Sequence, residues 1–121
     1  MYHPRDMHRR NQVEKLLARM GGTHTLEDVL TLIETGHMQS FSDDDTWVVT
    51  HVIQFPQKRV LEIFLVVGTM EGALKLEEAV FEFAKQVNVD LVRAYGRDGW
   101  MGEMKKQDGW RAGIRIFFKE V

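Results

Sequence analysis

Residues 47–67 read WVVTHVIQFPQKRVLEIFLVV, and this stretch decides the fold. Its first part, Trp47–Phe55, is rich in β-branched and aromatic residues that alternate between two faces, as in a strand. Pro56-Gln57-Lys58 supplies a turn. Arg59–Val67 is then a near-continuous apolar run, which is typical of a central strand covered on both faces. The stretch therefore predicts an antiparallel hairpin.

The segment that follows the hairpin alternates between helical and extended patterns. Gly68 ends the second strand, and residues 70–87 repeat apolar side chains at helical spacing. Val89–Tyr95 is the next strand candidate, so this strand, helix and strand predict a parallel pair joined by a right-handed crossover. A short helix that opens at residues 96–99 and closes at 108–109, and a last strand, Ile114–Phe118, complete the predicted order.

Two helices are predicted before the hairpin. Residues 11–20 carry apolar side chains at helical spacing, and Gly21-Gly22 ends that helix. Thr25 is suited to cap the second helix, which runs to Gly36. We divide the chain into an N-terminal helical arm, residues 1–22, and a globular unit, residues 23–121. Whether the arm packs on the unit is left open.

Composition points to one globular domain of 121 residues with 44% apolar and 28% charged residues. The net charge of −2 creates no global positive field, so neither nucleic acid nor a membrane is an expected partner. Basic residues do gather near the start of the chain, where a solvated helix face is favoured over a contact arm. They are Arg5, His8, Arg9, Arg10, Lys15 and Arg19.

The absence of cysteine excludes disulfides, thiolate metal sites and a cysteine nucleophile. The five histidines show no metal-ligand spacing, and Asp43-Asp44-Asp45 lacks the glycine and glutamate of a calcium loop, so no metal site is predicted. No apolar run is long enough to cross a membrane, and residues 1–10 do not resemble a signal peptide. We therefore expect a cytoplasmic protein.

The predicted order of elements resembles the GNAT N-acetyltransferase fold over residues 23–121. The resemblance is most specific in Leu91–Trp100 and Met104–Trp110, where Gly109-Trp110 occupies the place at which many members have Gly-Phe. It implies an α/β (α+β) mixed sheet with an antiparallel N-terminal hairpin. A central parallel strand–helix–strand crossover and a C-terminal short helix plus strand are also implied.

The chain also resembles a group of small proteins of tailed bacteriophages and prophages. The matching motifs are Gly-Thr-His-Thr at Gly22–Thr25, Val-Val-Thr at Val48–Thr50 and Gly-Arg-x-Gly-Trp at Gly96–Trp100. This resemblance implies a place in the host-cell cytoplasm or in the virion.

The loop before the long helix departs from the GNAT pattern. Active members carry Arg/Gln-x-x-Gly-x-Gly/Ala there, and its N–H groups hold the pyrophosphate of coenzyme A. Here Gly68–Leu74 reads GTMEGAL, with no preceding Arg or Gln, and Glu71 adds an unfavourable negative charge. We expect no cofactor; the alternative is acetyl-CoA held by an atypical loop. The resemblance would then assign cofactor binding to Val66, Val67, Gly68, Thr69, Gly72 and Trp100. The other interpretation of Gly68, Thr69 and Gly72 is a plain strand-to-helix turn, with Thr69 near the N-cap of the helix.

Three residues are candidates for acid–base chemistry. Glu62 interrupts the central apolar run and resembles the glutamate that activates the amine in GNAT enzymes; pairing with an arginine is the alternative. His51 is a candidate general base because it carries an imidazole, but it has no carboxylate close in sequence, which favours a buried structural histidine. Tyr95, near the end of its strand, is a candidate proton donor or a core aromatic residue.

Two functions compete on this pattern. The first is a non-catalytic GNAT-like phage protein that acts through contacts with a phage or host protein, in the virion, in assembly or against the host. The second is an N-acyltransferase with an unusual loop. A homo-oligomer is left open as a further arrangement.

Overall fold

The computed structural model describes residues 2–95, 100, 104, 106, 107, 109–114 and 116–121. Within these ranges three helices and four strands follow one another along the chain. They are α1 (Met7–Arg19), α2 (Leu26–Glu34), β1 (Gln39–Ser42), β2 (Trp47–Gln54), β3 (Arg59–Val67), α3 (Met70–Gln86) and β4 (Leu91–Ala94).

The four strands form one mixed sheet in the order β1-β2-β3-β4. β2 is antiparallel to both β1 and β3, which confirms the predicted hairpin. β3 and β4 are parallel, and α3 crosses from one to the other, which confirms the predicted strand–helix–strand unit. The mixed α/β architecture predicted from the sequence is therefore present.

β3 carries an irregularity in its middle. Val49 of β2 faces Leu65, but the next residue, Thr50, faces Ile63, so Phe64 is an extra residue on β3. Phe64 and Leu65 consequently both pack into the core on one side of the sheet. A bulge of this kind bends the strand and redirects the side chains that precede it.

Helices cover both faces of the sheet. On one face, α1 and α2 pack over alternate residues of β2 and β3 such as Trp47, Val49 and Leu65. On the other face, α3 packs its Val80 and Ala84 against the intervening residues Val48 and Leu61. The period-two alternation of the strands thus separates two apolar layers, one under each set of helices.

The first helix belongs to this core. Val13 and Leu17 of α1 are 0% and 2% exposed and contact the apolar layer that α2 also covers. Part of the basic cluster is also engaged, since Arg5 and Arg10 pair with Glu27 at the start of α2. Helix α1 therefore lies packed on the domain, while the boundary that we drew after residue 22 stays a prediction.

The last predicted strand, Ile114–Phe118, is not formed by those of its residues that the structure describes. Residues 114 and 116–118 belong to no strand, and Ile114 and Phe117 are 98% and 90% exposed. Strand composition is a local property, whereas a strand needs a partner edge, and β4 offers only four residues. Of the short helix predicted between 96 and 109, Met104 and Lys106 are helical, whereas residues 96–99, 101–103, 105 and 108 lie outside those described.

Replacing Leu17 by alanine tests whether α1 is part of the folded unit. Because the Leu17 side chain is fully enclosed, we expect a loss of about 2–5 kcal/mol in the free energy of unfolding. Urea denaturation measures it. The control is Met7→Ala on the same helix, where an 80% exposed side chain should change stability by less than about 0.5 kcal/mol. Equal stability of both variants would show that α1 does not pack as described.

Candidate functional site

A buried carboxylate lies at the centre of the sheet. Glu62 of β3 is 3% exposed, although an ionised carboxylate is costly to bury unless it is paired. The strand register places His51 of β2 directly beside it on one side and Arg93 of β4 on the other. Three adjacent strands therefore present three polar side chains in one row on the same face.

Both oxygens of this carboxylate have partners. Glu62 Oε1 lies 2.7 Å from Nε2 of His51. Glu62 Oε2 accepts a hydrogen bond of 2.7 Å from Nε of Arg93 and lies 2.6 Å from Nη2 of the same guanidinium. The hydroxyl of Tyr95 also donates to Oε2, at 3.2 Å. These four residues, His51, Glu62, Arg93 and Tyr95, are called the Glu62 cluster below.

The electrostatics of the cluster favour an ionised Glu62 and a protonated Tyr95. Burial by itself raises the pKa of Glu62, but the hydrogen bonds from His51 and Arg93 and the charge of the guanidinium outweigh it, so the pKa lies below its ordinary value. Burial raises the pKa of Tyr95, and the neighbouring negative charge of Glu62 raises it further. The phenol therefore acts as a donor toward the carboxylate.

Aromatic rings surround the cluster. The ring of Phe64, the bulge residue, meets His51 and His24 edge-on at centroid distances of 5.5 and 4.9 Å. Arg93 stacks over the ring of Phe55 at 4.9 Å. The side chains of His51 and Arg93 are 24% and 46% exposed, against 4% for Glu62. A ligand would thus meet the imidazole and the guanidinium first, with Glu62 behind them.

The structure brings together all three residues predicted for acid–base chemistry, His51, Glu62 and Tyr95. The carboxylate partner that His51 lacks in its sequence neighbourhood is Glu62, on the neighbouring strand. The arginine considered as a partner of Glu62 is present as Arg93, which we did not single out. Only the parallel register of β3 and β4 reveals it, because no local motif links the two positions.

The start of α3 contains the residues predicted for the cofactor. Thr69 is the N-cap of α3, and its hydroxyl accepts a hydrogen bond of 2.9 Å from the N–H of Gly72. The helix cap that we gave as the other interpretation of Thr69 is therefore present, while the assignment of Gly68, Thr69 and Gly72 to a cofactor stays a prediction. Val66 and Val67 end β3, and Trp100 is half-buried beside residues outside the described ranges, so their assignments stay predictions.

The turn before β2 fills the space beside the two glycines. A Cβ atom on Gly72 would lie 1.9 Å from the hydroxyl oxygen of Thr46, and one on Gly68 would lie 2.5 Å from the carbonyl oxygen of Asp45. Gly68 also has a φ of 125°, which side chains rarely adopt. Thr46 is fully buried in this contact. The absence of a side chain at Gly68 and at Gly72 therefore leaves room for the turn that contains Asp45 and Thr46.

No protein-family model and no curated protein sequence matches the chain. Solved structures do match it. Wild-type TTHA1254 from Thermus thermophilus superposes with a TM-score of 0.59 at 16% identity, covering 100% of this chain and 97% of that one. An aminoglycoside acetyltransferase, meta-AAC0020, from an uncultured soil metagenomic sample gives 0.61 at 10% identity, covering 99% and 93%. A GNAT family acetyltransferase from Staphylococcus aureus gives 0.56 at 15%, covering 99% and 95%.

The chain has a GNAT-like fold. At these identities the likeness establishes the fold and leaves the activity to be argued from the site. Two features at the start of α3 oppose the binding of a large anion there. Thr46 occupies the space beside Gly72, and Glu71 places a carboxylate in the first helical turn, where it opposes an anion.

In the part of the chain that the structure describes, no three side chains that could ligate a metal ion come together. None of the described helices is long and apolar enough to cross a membrane.

Glu62→Gln tests the electrostatic role of the cluster. The neutral amide loses charge-assisted bonds, so we expect the free energy of unfolding at pH 7 to fall by about 2 kcal/mol. The pKa of Glu62 is lowered on folding, so its contribution is complete above the ordinary value of 4.5 and is lost as pH falls through the folded-state value. Urea denaturation from pH 7 to 3 should therefore show a weaker pH dependence for the variant. Glu71→Gln, at an 81% exposed side chain, is the control, and its stability should depend on pH as that of the parent does. The same pH dependence in the parent and both variants would contradict the electrostatic role of Glu62.

Gly72→Ala tests the contact between the turn and α3. A methyl group at this position would overlap Thr46, so we expect a loss of about 1–3 kcal/mol in the free energy of unfolding. Gly113→Ala is the matched control, because no heavy atom lies within 4 Å of the added Cβ there. Thermal or urea unfolding compares the two variants. A Gly72→Ala protein as stable as the control would mean that the space beside Gly72 is open.

Proposed function

We propose that this GNAT-like protein acts by binding a protein partner and does not transfer acetyl groups from coenzyme A. One observation carries the proposal: Thr46 is packed into the space that Gly72 leaves at the start of α3. A cradle for a diphosphate needs free N–H groups and room for the anion next to the backbone. Here the N–H of Gly72 is bonded to Thr69, and the neighbouring space holds a side chain.

The state of Glu62 supports the same proposal. Its two oxygens are occupied by His51, Arg93 and Tyr95, and its lowered pKa makes it a poor proton acceptor at neutral pH. A carboxylate in this state joins β2, β3 and β4 electrostatically. The cluster therefore has a sufficient structural role without any reaction.

Exposed apolar side chains near the C-terminus favour action through contacts. Ile114, Phe117 and Phe118 lie within five positions of one another in the sequence and are 98%, 90% and 58% exposed, and exposed apolar side chains favour an interaction site. The resemblance to phage proteins extends the proposal to a partner in the virion, in assembly or in the host cell.

A second candidate, an N-acyltransferase, is favoured by the convergence of His51, Glu62 and Tyr95. If Nε2 of His51 donates to Glu62, its Nδ1 carries the free lone pair and can accept a proton from an attacking amine. Glu62 would then orient the imidazole, and Tyr95 would be the proton donor of the site.

Calorimetry with acetyl-CoA and with coenzyme A, together with an assay for acetylation of a panel of amines, separates the two candidates. We expect neither heat of binding nor turnover at millimolar ligand, because on this proposal Thr46 occupies the space beside Gly72 that a diphosphate would need. The panel includes His51→Ala and, as a control, His37→Ala, which changes a histidine bonded only to Thr35 among the described contacts. Turnover that His51→Ala abolishes and His37→Ala preserves would overturn the first proposal and establish the second.

A further inference from the structure

A surface groove lies between α3 and the start of β4. Helix α3 packs on the face of the sheet opposite the one that carries the Glu62 cluster, so the groove is separate from that cluster. Leu74, Glu77, Glu78 and Phe81 are three or four positions apart, lie on one side of α3 and form one wall. Residues 90–92 and Trp110 contribute to the other wall. The volume of about 530 Å³ is in the range of small-molecule sites.

Two aromatic rings that line this groove stand at right angles to each other. The rings of Phe81 and Trp110 have an interplanar angle of 86° and a centroid distance of 6.1 Å. The indole is held in this orientation because its Nε1 donates a 2.7 Å hydrogen bond to Oε1 of Glu77. Phe81 is 36% exposed, so its ring is accessible from the groove. The two rings bound an apolar recess that we call the Phe81–Trp110 corner.

The charge around the corner is negative. Glu77, Glu78 and Asp90 contribute carboxylates, and the described residues that line the groove include no lysine or arginine. Glu78 forms no ion pair in the described part of the chain, and Glu77 uses one of its oxygens for the indole. Lys75, on the same helix, pairs with Glu71 instead. The groove therefore has negative charge that its described lining does not neutralise.

The rings and the carboxylates together select one kind of ligand. A cation over the face of an aromatic ring is attracted by the quadrupole of the ring, and the attraction grows when the cation loses its water. Phenyl and indole walls cannot replace the oxygen ligands of a metal ion. An alkylated ammonium ion carries its charge beneath methyl groups that pack on such walls, and the nearby carboxylates supply the counter-charge.

We propose that the groove binds an alkylated ammonium group, whose charge lies in the Phe81–Trp110 corner and faces Glu77 and Glu78. The apolar part of the ligand packs along Leu74. A free small cation and a methylated lysine side chain carry the same group, so both serve as probes. The inference does not depend on the proposed function, because the corner shares no residue with the Glu62 cluster or with the contact between the turn and the start of α3.

NMR of the indole N–H groups of the full chain tests the site. Choline and a peptide that carries trimethyllysine are the probes, and neohexyl alcohol, the uncharged isostere of choline, is the control ligand. At millimolar probe we expect the indole signal of Trp110, identified by its loss in Trp110→Phe, to shift and to saturate. The signal of Trp47, which is 3% exposed, should stay in place. The alcohol should bind at least about fivefold more weakly, because it lacks the charge.

Three variants locate the bound group. Phe81→Leu keeps an apolar side chain but removes a ring, so choline should bind about fivefold more weakly. Glu78→Gln removes a facing charge and should weaken choline binding about two- to fivefold. Glu82→Gln, on the same helix but outside the groove lining, is the matched control and should bind choline as the parent does. Circular dichroism verifies that the variants fold.

Binding of either probe supports the proposal and identifies the source of the ammonium group, which is a small cation if choline binds and a protein side chain if only the peptide binds. Three outcomes would overturn it: no shift of the Trp110 indole with either probe, a shift with the alcohol at the same concentrations, or unchanged affinity in both Phe81→Leu and Glu78→Gln.

Discussion

The neutralisation of Glu62 is the constraint around which the sheet is organised. A carboxylate that is 3% exposed requires partners, and the two strands beside β3 supply them from opposite sides. His51 contributes a ring nitrogen from β2, and Arg93 contributes a guanidinium from β4. Because β4 has only four residues, few main-chain hydrogen bonds hold it to β3, and the ion pair between Glu62 and Arg93 joins the two strands through their side chains as well. A change in the β3–β4 register would take the guanidinium of Arg93 away from Glu62.

The bulge at Phe64 and the turn at Thr46 define the other half of the candidate site. The bulge turns Phe64 toward the face that carries Glu62, where its ring separates His51 from His24. The turn brings Thr46 against Gly72 at the start of α3. A GNAT-like frame is thus combined with a helix start whose glycines serve packing, which is why the fold alone does not decide the chemistry.

Local signals in the sequence were sufficient for most of the frame. The alternation in Trp47–Phe55 and the apolar run Arg59–Val67 correspond to β2 and β3, because period-two patterning reflects directly which side chains a strand buries. Thr25 and Thr69 cap α2 and α3, since capping involves residues only three positions apart. The predicted strand Ile114–Phe118 is wrong for its described residues, because composition cannot specify whether a partner edge is within reach of the segment.

The sequence by itself determined the order of α1, α2, β2, β3, α3 and β4, the hairpin, the crossover and the three titratable candidates, because each is encoded by neighbouring residues. Only the tertiary structure decided that His51, Glu62 and Tyr95 meet and that Arg93 joins them, since strand register is a long-range property. It also decided the meaning of Gly68 and Gly72. Glycine is required wherever backbone is approached closely, and the approaching group, here Thr46 and Asp45, comes from a distant part of the chain.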